Sequence, residues 1–84
     1  METKKLMVLV EAGAVRSVEA IPDGDGWAVW ITYASLIGER REPLQRQRGG
    51  VRVFVTLDAV ARCLVAVGLS EFAVNLPGKG EELP

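Results

Sequence analysis

The stretch from Val51 to Val74, VRVFVTLDAVARCLVAVGLSEFAV, holds a strand, a helix marked at both ends and a second strand. Val51, Val53 and Val55 alternate with Arg52 and Phe54, the two-residue period of an extended chain. The period then changes. Leu57, Val60, Ala61 and Leu64 recur at i, i+3, i+4 and i+7, which places them on one apolar face of a helix. Thr56 is positioned to cap that helix by accepting a first-turn backbone N–H. Asp58 suits the positive end of the helix dipole, and Val55 and Val60 occupy the two positions of a hydrophobic staple. Gly68 stands where a left-handed residue ends a helix, with Leu69 able to fold back on Leu64. The pattern predicts a helix over 57–67, and Phe72, Val74 and Leu76 alternate as a last strand.

Upstream, Pro22-Asp23-Gly24-Asp25-Gly26 supplies the fixed and positive φ values of a tight reversal. Trp27, Val29, Ile31 and Tyr33 alternate with Ala28, Trp30 and Thr32, and Val15, Val18 and Ile21 lie on the other side of the turn, so the two runs form a hairpin. Leu6–Val10 is a short apolar run and reads as a further strand, bent or bulged at Gly13, where a glycine interrupts the pattern; it can be continuous with the next strand. Ser35–Gly50 is the least regular part, either a long connection or a polar edge strand broken at Pro43. The expected strands are 6–10, 14–21, 27–34, 51–55 and 72–76. Together these give an α+β fold: a small, mostly antiparallel sheet in the order β-β-β-α-β with one helix packed on one face, since helix and sheet each present one apolar side. Residues 1–76 form a single domain, and 77–84, beginning Pro77-Gly78-Lys79-Gly80 and ending acidic, read as a flexible C-terminal tail.

Eighty-four residues leave room for one core. A formal charge of −1 excludes a general polycation, so any attraction to nucleic acid must come from a local patch. One cysteine, Cys63, allows no intramolecular disulfide and fits a reducing, cytoplasmic setting. The Leu6–Val10 run is too short for a signal-peptide core or a membrane span.

The inventory of reactive groups is thin. There is no histidine, hence neither the usual general base nor the commonest metal ligand. A lone cysteine cannot build a zinc site without many carboxylates. Gly24-Asp25-Gly26 lacks the later glycine and the helix start of a dinucleotide loop, while Asp23 and Asp25 on a hairpin tip read as turn formers. Cys63, inside the helix beside Arg62, reads as an inert half-buried thiol. The expectation is a protein that is not an enzyme, with no catalytic residues, no metal, no cofactor and no small-molecule substrate.

Two features stand above this background. Arg40, Arg41, Arg46, Arg48 and Arg52 are five of the seven arginines, and against Glu39 and Glu42 they leave a local +3. Guanidinium groups hold phosphate through a bidentate fork, and Gln45 and Gln47 between them can hydrogen-bond to bases or phosphates. The same residues could equally be a solvated loop or an edge strand charged against aggregation. Trp27 and Trp30 point to opposite faces of one strand, so one of them is left for a second subunit to cover, and a homodimer is expected.

The segments Leu9-Val10-Glu11-Ala12-Gly13-Ala14-Val15 and Gly26-Trp27-Ala28-Val29, and above all Val51–Val74, resemble the ParC-type partition-associated proteins of bacterial plasmids and integrative elements. The likeness spans most of residues 6–76. It implies an accessory role in maintaining a mobile element through binding DNA or a partition protein, and carries no catalytic residue. The expected function is therefore a non-enzymatic accessory binding protein. The alternatives are a nucleic-acid-binding regulator working through residues 40–52, or a protein–protein interaction module with no DNA contact.

Overall fold

The computed structural model describes residues 1–76; the tail expected over 77–84 lies outside them. The fold is α+β, with α1 (Thr3–Glu11), β1 (Val15–Asp23), β2 (Gly26–Ser35), β3 (Gly38–Pro43), β4 (Val53–Phe54), α2 (Leu57–Ala66) and β5 (Ala73–Val74). The five strands form one sheet in the order β3-β2-β1-β5, with β4 also paired to β2. All pairings are antiparallel except β1 with β5. At Trp27–Ala28 one edge of β2 is held by β1, so β4 takes the other edge, in line with β3, which pairs further along at Trp30–Ser35. From β4 the chain crosses β2 and β1 through α2 and returns as β5 beside β1, the crossover that the final strand-helix-strand order permits.

The Pro22–Gly26 reversal is a two-residue hairpin. Asp23 pairs with Gly26, Gly24 takes φ +60° and Asp25 keeps a negative φ, the pattern of a type II′ turn. Gly26 is required for a second reason. A Cβ there would lie 2.3 Å from the Phe54 carbonyl oxygen, so β4 can approach only because the position carries no side chain. The edge-strand reading of 35–50 holds for Gly38–Pro43, whose outward charges blunt an edge open to pairing.

Residues 6–10 are not a strand; they lie within α1, and the sheet carries two helices. Leu6 is fully buried and Leu9 and Val10 pack on the core, the i, i+3, i+4 spacing of a helix face, while Met7 and Val8 are exposed. Gly13 is the end of that helix rather than a bulge. At φ +69° it donates its N–H to the Val10 carbonyl while Ala14 donates to Leu9. Gly68, at φ +97°, repeats the arrangement on α2: its N–H goes to Val65 and that of Leu69 to Leu64. These are the paired bonds of a Schellman ending, expected at Gly68 and present at both helices. At the start of α2 the Thr56 hydroxyl accepts from the Ala59 N–H at 3.1 Å.

Both helices cover one sheet face. The core joins Leu6 of α1, Val60 and Leu64 of α2, Val18 and Ala20 of β1, Val29, Ile31 and Tyr33 of β2, Phe54 of β4 and Leu44. Tyr33 is a buried phenol at its polar rim and donates a hydrogen bond to Glu42 Oε2. Lys5 Nζ donates to Tyr33 Oη at 3.0 Å and to Glu42 at 3.3 Å, tying α1 to β2 and β3. The Tyr33 hydrogen bond, opposed by burial and helped by Lys5, holds the Glu42 carboxyl below the usual carboxylate range. The bond to Tyr33, opposed by burial and helped by Glu42, holds the Lys5 ammonium above its ordinary value. Among the described residues, no helix is long and apolar enough to cross a membrane.

Candidate anion-binding groove

Past β3 the chain makes a third, narrow reversal. Leu44 donates its N–H to the Val29 carbonyl and sinks its side chain into the core. Gln45 bridges to Val51, the Arg46 N–H donates to the Gly50 carbonyl at 3.0 Å, and the Gly49 N–H donates to the Arg46 carbonyl at 3.1 Å. Gly49 and Gly50 both have positive φ, +88° and +77°, which is why two glycines stand here. A tight turn thus carries Arg46, Gln47 and Arg48 on its tip.

This turn abuts the start of α1. The Gln45 N–H donates to the Met1 carbonyl at 2.7 Å, and the Met1 nitrogen donates to the Pro43 carbonyl at 2.6 Å. Between them lies an open groove of about 470 Å³ lined by Glu2, Thr3, Lys4, Gln45, Arg46, Gln47 and Arg52. Three cations face one carboxylate in it. The Glu2 side chain makes no capping hydrogen bond, so the first-turn N–H groups of α1, whose residues Thr3 and Lys4 line the groove, are not capped by it. Arg52 is half-buried, and its guanidinium lies 4.5 Å from the centroid of the Phe54 ring, which fixes one wall of the groove to the core.

The five arginines read from the sequence do not form one patch. Arg46 and Arg52 line the groove, and Arg48 is exposed on the turn beside it. Arg40 and Arg41 are neighbours in β3 and so take opposite faces. Arg40 is exposed on the side of Tyr33. Arg41 lies on the face away from the helices, 4.5 Å from the Trp30 ring centroid and 3.1 Å from Glu19 Oε1. Glu19 also accepts from Asn75 Nδ2 at 3.2 Å. Trp27 packs against the core on the helix side and Trp30 lies half-buried on the other, as their alternation requires. The guanidinium of Arg41 already covers part of Trp30.

Lys4, Thr3 and Glu2 join the site because residues 6–10 are helical; a strand there would not bring a helix start to the arginine turn. The signal that finds them is Gly13 read as a helix end, together with Leu6, Leu9 and Val10 at helical spacing. Elsewhere, Asp23 closes the first hairpin and Asp25 lies in its turn, and Cys63 is half-buried on α2 against the core. Comparison with protein-family models, with curated proteins and with solved structures gave no match for this chain.

Proposed function

We propose that this chain is a non-enzymatic accessory protein that binds the phosphate backbone of nucleic acid through the groove between α1 and the 45–52 turn. The observation that carries the reading is the convergence of Lys4, Arg46 and Arg52 with two glutamine amides and a helix start in one open concavity. Arginine forks and helix N–H groups both complement phosphate oxygens, and glutamine donates to them without adding charge. An open groove suits a backbone that passes through rather than a small molecule that must be enclosed. Its modest net charge suits weak binding that a partner, such as a partition protein, or a second copy would strengthen. The resemblance to ParC-type proteins supplies the setting: maintenance of a plasmid or other mobile element, in the cytoplasm.

The test is residue-resolved. In a titration with a short DNA duplex, the backbone amide signals of Thr3, Lys4 and Gln45–Arg52 are expected to shift, while those of Glu39–Arg41 stay in place. Shifts confined to β3 or to the Trp30 face would move the binding surface away from the groove. The absence of any shift would favour a protein-interaction module with no DNA contact.

A further inference from the structure

The turn joining β2 to β3 is built from Ser35, Leu36, Ile37 and Gly38, and its two central residues are apolar. The turn is firmly made: Ser35 pairs with Gly38, the Ser35 hydroxyl donates to the Gly38 carbonyl at 2.6 Å, and Gly38 takes φ +118°. Leu36 is nevertheless fully exposed and Ile37 is 83% exposed, which makes them the most exposed large apolar side chains among the described residues. Tight turns ordinarily carry Asn, Asp, Gly or Ser there, so two aliphatic side chains held out on a rigid tip call for a binding partner.

The same chain carries a site of matching chemistry. A groove of about 380 Å³ lies between the first half of β1 and the segment leading into β5, lined by Val15, Val18, Leu69, Phe72 and Ala73, with Arg16, Ser17 and Glu71. It exists because β5 pairs only with Glu19 and Ala20, which leaves the β1 edge at Val15–Val18 without a strand neighbour among the described residues. A β-bulge between Val15 and Ser17, in the ladder with β2 on the opposite side of the strand, bends β1 at this point. The site therefore does not favour an added strand; it favours side chains presented ahead of their backbone, which is what a two-residue tip offers.

We propose that the Leu36–Ile37 tip inserts into this groove of a second copy, and that two chains exchange tips about a two-fold axis. Charge complementarity points to this occupant. The tip is followed by Glu39, and the groove carries Arg16, so an acidic group beside the tip can meet a basic one across the contact. Position points the same way. Val15 pairs with Tyr33, two residues before the turn, so tip and groove lie toward the same end of the sheet. One two-fold axis beside that end can make both insertions at once, each residue contact being repeated by symmetry. The contact is independent of the anion-binding groove, and it gives the expected homodimer a surface other than the tryptophans. It is small, so the dimer belongs to the weak class of interfaces below standard size.

Sedimentation velocity of the full chain from low to high micromolar concentration should show a monomer–dimer equilibrium. Leu36→Ser with Ile37→Ser should weaken it by about a hundredfold, because two aliphatic side chains per chain lose their burial. Arg16→Glu and Glu39→Arg should each weaken it by about threefold, and the two together in one chain should restore it. In a half-labelled sample, isotope-filtered spectra should show contacts between chains from the Leu36 and Ile37 methyls to Val18 and Phe72. A monomer at every concentration would overturn the proposal. So would a dimer whose contacts run through Trp30, or contacts within one chain that place residues 77–84 in the groove.

Discussion

Gly68, just past the end of α2, sits against Val10 of α1: a Cβ built at Gly68 would lie 3.3 Å from the Val10 side chain. The residue that ends one helix thus also sets how closely the last turn of the other can approach. Two demands fall on one position, a φ of +97° and the absence of a side chain.

Gly68→Val should therefore destabilise the fold by about 2–3 kcal/mol, the scale of left-handed strain for a branched residue with a tight contact added. Gly13→Val meets only the strain, since nothing lies within 4 Å of its Cβ position, and should cost about 1–2 kcal/mol. Urea unfolding midpoints of the two variants check the order. Equal costs would mean that the approach of the helices does not depend on Gly68.

The same two glycines show how much of the architecture the sequence makes legible. Around Gly68 every local signal agrees: a capping threonine, an acidic first turn, a clean apolar spacing and a following leucine. Gly13 follows an unbroken apolar run, Leu6–Val10, and such a run fits a buried strand as readily as a helix. Period alone could not separate them. What decides is tertiary: Leu6 enters the core while Met7 and Val8 stay exposed. The turn at 24–25 and the long strand after it are legible for the opposite reason, since glycine φ values and two-residue alternation are local. The arginine site is legible in composition only. Adjacent residues of a strand face opposite ways, so Arg40 and Arg41 part company, and Lys4 arrives from a distant helix whose start the strand reading concealed.

Glu42 contributes stability that depends on acidity. Its carboxyl lies below its ordinary value of 4.5 in the folded chain, chiefly through the Tyr33 hydroxyl. The contribution is full above that ordinary value and is lost as the pH falls through the folded one. Glu42→Gln should cost roughly 1.5–3 kcal/mol at neutral pH, the worth of a hydrogen bond to a charged group. It should also flatten the fall in unfolding midpoint as the solution is acidified toward about pH 3. Lys5 has the opposite sense: its contribution is present below 10.5 and lost as the pH rises through the higher folded value. Identical acid profiles for the variant and the parent would show that the carboxylate is not held by Tyr33.

Arg41 and Arg46 should separate by readout. Arg41→Ala uncovers Trp30, so tryptophan emission should move to longer wavelength, with nucleic-acid binding little changed. Arg46→Ala should leave emission alone and weaken binding. A loss of binding in the Arg41 variant equal to that in the Arg46 variant would mean that the face away from the helices also touches the ligand.

Phosphate binding in the groove at the start of α1 is tested most directly by the salt dependence of duplex DNA binding. With three or four phosphates neutralised by Lys4, Arg46, Arg48 and Arg52, the logarithmic slope of affinity against salt should be about −3, measured by fluorescence anisotropy from about 50 mM upward. Lys4→Ala with Arg46→Ala should flatten that slope by nearly two units while leaving the unfolding midpoint in place, since Lys4 and Arg46 are both exposed. No detectable binding at about 50 mM salt, alone or with a candidate partition partner, or a slope unmoved in the double variant, would contradict it.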